Sequence, residues 1–310
     1  MIFLDFTKAF DRIPYDILIC KLEKYNFSWQ FINWIANFLS QRSQVVTING
    51  ISSTPVQITS GVPQGTILAP LLFSLFINDL FSLELSHDSR FSAYVDDTKL
   101  YGPVPSAKNL ANDLELIAKW TAINSVGINF DKCGVIYFGA NNPKFPYTLS
   151  GNVLPVVETY KDLGIVIEAG LSFSNHVNHL VRKCFVISKL LLKSFSRENP
   201  QLHASLLRTY ILPMLFDGIP FFIPYSVDLV NQLEKIQRRF TKRLLSRRNL
   251  DYPSRLAILN LQPIEISFIK LGLAYIYKMI HFSSPISSSL PTLLCSSTRN
   301  SEIRFQQELC

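Results

Sequence analysis

Apolar and polar positions follow two different rhythms along the chain. MIFLDF opens it as a short apolar run, a strand pattern that ends on the carboxylate of Asp5. From Tyr15 to Ser40, YDILICKLEKYNFSWQFINWIANFLS repeats its apolar residues at helical spacing, with a break around Asn26 to Ser28. QVVTING and TPVQITS predict two strands joined through an Asn-Gly turn. After GVPQG, a nearly all-apolar stretch predicts a long, largely buried helix reaching about Leu83. FSAYV and TKLYG read as strands on either side of Asp96 and Asp97. Residues 106–124 read as an amphipathic helix ending near Trp120. GINFDKCGVIYFG predicts a strand pair, and ETYKDLGIVIE a further strand region.

From Phe173 onward the pattern is helical throughout, which sets the expected domain boundary near residue 170. An α+β body over residues 1–170 followed by an all-helical region over 171–310 fits this order. HFSSPISSSLPTLLCSS reads as a serine-rich loop or linker.

With 310 residues, 48% of them hydrophobic and only 17% charged, the chain can bury a sizeable core and is not a disordered one. A net charge of +7 is compatible with a polyanionic partner without specifying it. Cys20, Cys133, Cys184, Cys295 and Cys310 form no CxxC pair, which argues for a reducing compartment rather than a disulfide framework. The two longest apolar stretches carry Asn78 and Asp79 in one, and Asp217 with three prolines in the other. They read as buried protein segments, with no membrane partner expected. No secretory signal pattern is visible at the N-terminus.

FSAYVDDTKLYG places two adjacent carboxylates between apolar strands, and their repulsion needs compensation. Solvent at an ordinary hairpin tip would suffice. A divalent cation would also suffice, and Asp5 at the end of an apolar strand offers a third oxygen donor. Spacing alone does not bring Asp5 and Asp96 together. HVNH with Cys184 has helical spacing but no fourth ligand, and is not read as a metal site.

The order of motifs supplies the missing link. LDFTKAFD, GVPQGTILAPLLFSLFINDL, AYVDDTKLY, INFDKCGVIYFG and TYKDLGIVIEAGLSFSNHV together resemble the reverse transcriptase domain of non-LTR, LINE-like retrotransposons. The helical segment containing TYILPMLFDGIP and LEKIQRRFTKRLL is similar to the downstream region of the same elements. The resemblance implies a polymerase palm with an antiparallel sheet, partial fingers over about residues 11–60, and a helical thumb. It implies an RNA-directed DNA polymerase that transfers nucleotides from dNTP to a primer 3′-hydroxyl on an RNA template. Asp5, Asp96 and Asp97 would hold two Mg²⁺ ions, with Mn²⁺ as the other candidate. Phe10 matches the bulky residue beneath the incoming sugar, and Asp11 a structural position. Gln64, with Gly61, Gly65 and Tyr94, falls at the expected substrate contacts, and Lys132 matches a lysine that stabilises pyrophosphate.

On the predicted helix near KIQRRFTKRLL, Leu229, Leu233, Ile236, Phe240 and Leu244 mark a buried stripe beside a second stripe of Lys235, Arg238, Arg239 and Lys242. The basic stripe reads either as a solvated face or as a track for nucleic-acid phosphates. Met1 lies four residues before Asp5, so the long fingers region that precedes the first motif in this family is expected to be missing, with activity impaired. A non-enzymatic nucleic-acid-binding remnant of a retrotransposon is the alternative. A metal-dependent nuclease on an unrelated fold would leave GVPQG unexplained. The family is expected to work inside the cell, at nuclear DNA.

Overall fold

The apolar run at the start of the chain forms β1 (Ile2–Leu4), buried along its whole length. The computed structural model describes residues 1–196, 198–219, 221–222, 226–281, 293–294 and 304–305. The chain divides into two units, Met1–Leu171 and Ser172–Cys310.

In the first unit, α1 (Tyr15–Lys24) and α2 (Trp29–Leu39) are separated where Asn26 turns left-handed at φ 58°. Ser28 then restarts the helix, its Oγ accepting the amide of Phe31 at 3.4 Å. A narrow ribbon follows: β2 (Ser43–Gln44), β3 (Thr47–Ile48), β4 (Ile51–Ser52) and β5 (Val56–Gln57). β3 pairs with β4 and β2 with β5. Asn49 and Gly50 both hold positive φ at the tip, as a primed hairpin turn requires.

Then come α3 (Leu68–Ile77), the hairpin β6 (Arg90–Tyr94) and β7 (Asp97–Tyr101), and α4 (Ala107–Ile123). They are followed by β8 (Gly134–Val135), the pair β9 (Thr148–Leu149) and β10 (Asn152–Val153), and the hairpin β11 (Thr159–Asp162) and β12 (Ile165–Glu168). The main sheet is antiparallel in the order β6-β7-β1-β8. Ile2, Leu4, Leu100 and Val135 turn one face of it into the core against α1, α3 and α4. The other face carries Phe3, which stacks on Tyr160 of β11 at 4.0 Å and 10°.

The second unit holds α5 (Ser174–Ser194), α6 (Pro200–Leu206), a π-helical turn at Leu207–Ile211, and α7 (Leu212–Phe216). It continues with α8 (Val227–Leu244), α9 (Tyr252–Leu259) and α10 (Ile264–His281). Leu229, Leu233, Ile236, Phe240 and Leu244 of α8 are buried in its core, as their spacing predicts. Buried Glu234 accepts the Ile264 amide at 2.8 Å, satisfying a donor at the start of α10. Among the described residues, no single helix is long and apolar enough to cross a membrane.

Several expectations need correction. α3 is shorter than predicted and continues as a 3₁₀ turn, Asn78–Ser82. Only one side of it is buried: Ile67, just ahead of it, is 96% exposed, and Leu71 and Phe81 are about half exposed. An unbroken apolar run contains no contrast from which to read its solvent side. GINFDKCGVIYFG is not a strand pair. Asn129 accepts the amides of Lys132 and Cys133 in a tight turn, so each end of the segment pairs with the β1 region instead. The second region is not wholly helical, because β13 (Leu293–Leu294) pairs with β14 (Arg304–Phe305). Most of the serine-rich stretch lies outside the described residues.

One polar cluster ties α1 to the core. Lys21 is buried, with its Nζ donating to the Phe76 carbonyl at 2.6 Å and to Asp79 Oδ1 at 2.8 Å. The same Asp79 oxygen accepts the indole N–H of Trp120 at 2.9 Å. Lys21 also lies over the rings of Phe76 and Trp120. Burial pulls the Lys21 amine below its usual range, and Asp79 opposes that shift. Asp79→Ala would leave a buried ammonium without its counter-charge. The expected loss is about 2 kcal/mol by denaturant unfolding, less than for a fully enclosed pair because Asp79 retains solvent contact.

Candidate active site

β1 and β7 pair through Ile2–Leu100, Phe3–Lys99 and Leu4–Thr98. One further step in that register sets Asp5 across from Asp97. Because strand side chains alternate, Phe3, Asp5, Asp97 and Lys99 share the face opposite the core, while Leu4 and Thr98 point inward. Tyr94 pairs with Asp97, leaving Val95 and Asp96 as a two-residue tip. Val95 holds φ 58°, a conformation that costs a β-branched residue about 1–3 kcal/mol.

The acidic end of this sheet is under electrostatic stress. Asp5 is buried, and its Oδ1 lies 3.4 Å from the Nζ of Lys132, a largely exposed side chain. Its Oδ2 is buried with no hydrogen-bond partner. Burial pushes the Asp97 carboxyl above its ordinary range, and the charges of Asp96, Asp162 and Asp5 push it further. Lys99 opposes that shift but is itself ion-paired with Asp162 of β11. Burial and the surrounding carboxylates also raise the Tyr160 phenol to about 12. That phenol donates to the Lys132 carbonyl at 2.9 Å, holding the Lys132 turn beside Asp5.

This chemistry fits a divalent cation. A buried carboxylate oxygen with no donor is costly, and a set of hard oxygen donors suits Mg²⁺ or Mn²⁺. Among the described residues, however, no three His, Cys, Asp or Glu side chains converge into a ready ligand group. Asp5 and the hairpin aspartates are neighbours across the sheet rather than an assembled cage.

The other candidates lie nearby or elsewhere. Phe10 is half-buried and stacks on Phe73 at 4.6 Å, so its ring is also part of the core. Tyr94 is exposed across from Asp97. Gly61 and Gly65 both hold positive φ. A side chain at Gly61 would meet the Asp11 backbone at 2.6 Å, whereas Gly65 faces open space. Gln64 lines a cleft of about 760 Å³ with Lys8, Asp11, Arg12, Tyr15 and Arg42. Lys235, Arg238, Arg239 and Lys242 are exposed on α8 of the second unit. There the Arg238 guanidinium lies over Tyr252 and that of Arg239 over Phe185, each at 4.8 Å. His176 is buried against Phe222, in keeping with a packing role.

Sequence reasoning missed Lys99 and Asp162. The period of two along VDDTK already put Asp97 and Lys99 on one face, but nothing local revealed that β11 would lie over it. It also passed over the basic lining of the Gln64 cleft, whose residues come from two separate segments.

The model of the reverse transcriptase (RNA-dependent DNA polymerase) family matches residues 1–167. The chain is similar to the RNA-directed DNA polymerase from mobile element jockey of Drosophila melanogaster, at 26% identity over 255 residues, 78% of this chain and 28% of that protein. It is similar to a probable RNA-directed DNA polymerase from transposon BS of the same species, at 26% identity over 260 residues, 77% and 28% of the two chains. It thus spans under a third of the length of either relative. Among solved structures, a Candida albicans telomerase bound to a telomeric RNA fragment matches 84% of this chain and 50% of its own. At 14% identity and a TM-score of 0.34, that likeness carries no argument.

The stress at Asp97 has a measurable consequence. Its raised carboxyl means that the folded state holds the proton more tightly than the unfolded chain, so ionisation removes stability as pH rises. In metal-free protein at neutral pH, Asp97→Asn is expected to raise Tm by roughly 1–3 °C, a small gain because the group is partly solvated. The gain should shrink as the pH falls toward 3.8, the ordinary value of the group. Thermal scans in chelator across that range check it.

Proposed function

Because the chain belongs to the reverse transcriptase family of RNA-directed DNA polymerases, we propose that it carries the polymerase centre of a non-LTR retrotransposon enzyme. In this reading the sheet of Met1–Leu171 is the palm, residues of about 11–60 are its fingers segment, and the helices of the second unit are the thumb. The observation that carries it is the buried, partnerless Oδ2 of Asp5 beside the Asp96–Asp97 hairpin.

Asp5 and Asp96, with Asp97 beside them, would hold divalent ions. Bound there, such ions lower the cost of forming the attacking 3′-oxyanion and offset the charge of departing pyrophosphate. The chain's own residues supply the rest. Val95 holds the tip in a strained turn that fixes where Asp96 sits. Lys132, already beside Asp5, provides a mobile ammonium for the phosphate charge that develops on the leaving group. Phe10, braced on Phe73, presents a ring edge that would exclude a 2′-hydroxyl and so favour dNTP. Gln64 contacts the incoming nucleotide or template from the neighbouring cleft. On α8, Lys235, Arg238, Arg239 and Lys242 would follow the primer–template backbone, and the Tyr252 and Phe185 rings hold two of the guanidinium groups in place. The site of action would be nuclear target DNA.

Primer extension on an RNA template with Mg²⁺ or Mn²⁺ tests this reading. Asp5→Asn and Asp96→Asn are each expected to lower incorporation by at least about 100-fold. Either variant retaining wild-type extension would exclude that residue as a metal ligand. Replacing Arg238, Arg239 and Lys242 by glutamine should flatten log affinity against log salt by roughly 2–3. An unchanged slope would leave the stripe a solvated face.

A further inference from the structure

Asp11 and Gln64 come from segments more than fifty residues apart, yet Gln64 Nε2 donates to Asp11 Oδ1 at 2.9 Å. Three further hydrogen bonds join the same two segments. The Val62 amide donates to the Phe10 carbonyl at 2.8 Å, and the Gly61 amide to the Ile13 carbonyl at 2.9 Å. The Ser60 hydroxyl donates to the Asp11 carbonyl at 3.0 Å. Gly61 sits so close on this surface that any Cβ would fall 2.6 Å from the Asp11 backbone. The main chain on which Asp11 stands is therefore fixed relative to the GVPQG turn, and its carboxylate is held within reach of the glutamine.

We propose that Asp11 is the positioning residue for Gln64, orienting its amide toward the incoming nucleotide. The chemistry of the pair fixes which end of the amide is spent. A carboxylate only accepts hydrogen bonds, so it engages an N–H of Gln64 and leaves Oε1, with the second N–H, for a ligand. Without Asp11 the exposed amide can rotate about its last torsion and offer either end. Pre-setting one orientation removes that freedom before the nucleotide arrives, which acts on binding rather than on the chemical step. Asp11 is itself exposed, so replacing it opens no cavity in the core.

The kinetic consequence rests on the polymerase reading, and the experiment separates the two. In the full chain, the Gln64 side-chain amide resonances, identified by their loss in Gln64→Ala, should move in Asp11→Ala. They should stay near their wild-type positions in Asp11→Asn, whose Oδ1 accepts the same bond. In primer extension, Asp11→Ala is expected to raise KM for dNTP about 3- to 10-fold, with kcat within about twofold. Asp11→Asn should recover most of that loss, and the Asp11→Ala/Gln64→Ala double variant should be no worse than Gln64→Ala alone. Unmoved resonances in Asp11→Ala overturn the proposal. So do additive effects in the double variant, or a Gln64→Ala variant with unchanged KM. Failure of the polymerase reading shows separately as absence of extension by the wild-type chain, and the resonances then still decide whether Asp11 holds Gln64.

Discussion

The antiparallel pairing of Ile2–Leu4 with Asp97–Tyr101 is the constraint on which the site depends. A slip of one residue would carry Asp5 to the core face and Leu4 to the acidic one, so the hydrophobic pattern and the carboxylate geometry are fixed by the same register. Ile2, Leu4 and Leu100 gain their burial only when Asp5 stands opposite Asp97. Packing energy thereby holds together charges that repel, and the cost appears as a raised Asp97 carboxyl and an unsatisfied Asp5 oxygen.

The surrounding contacts share one logic. Lys99 pairs with Asp162, Tyr160 stacks on Phe3 and bonds to the Lys132 carbonyl, and Lys132 reaches back to Asp5. β11 thus packs on the polar face of the sheet, opposite the core that α1, α3 and α4 share with the apolar one. The end of the face near Asp5 and the Val95–Asp96 tip gathers Asp5, Asp96 and Asp97. A strained backbone, an orphaned carboxylate and an elevated carboxyl group coincide there, which is the combination expected where stability has been given up for binding.

Much of this was legible in the sequence because its causes are local. The break between α1 and α2 follows from Asn26 and Ser28, and the β3–β4 turn from Asn49 and Gly50. The buried stripe of α8 follows from helical spacing. What was not legible depended on long-range partners. Asn129 folds its segment back toward β1, so an alternating pattern did not become a strand pair. Ile67 and Leu71 are apolar yet exposed, and an all-apolar run has no polar residues to mark its outer side. The three carboxylates are candidates by type and motif alone, whereas the placing of Asp5 across from Asp97 comes from the β1–β7 register. Asp11 read as merely structural, and its bond to Gln64 exists only because two distant segments meet.

The central claim is that Asp5 and the Asp96–Asp97 hairpin form a divalent cation site when nucleotide is bound. Electron paramagnetic resonance of Mn²⁺ titrated into the chain with primer–template and a non-hydrolysable dNTP reads this directly, since bound Mn²⁺ loses the signal of the free ion. Measured against a protein-free control with the same nucleotide and primer–template, the account predicts that wild-type protein depletes free Mn²⁺ further and that Asp5→Asn and Asp96→Asn do not. Equal depletion beyond that control by all three proteins, or none by wild type, would contradict it.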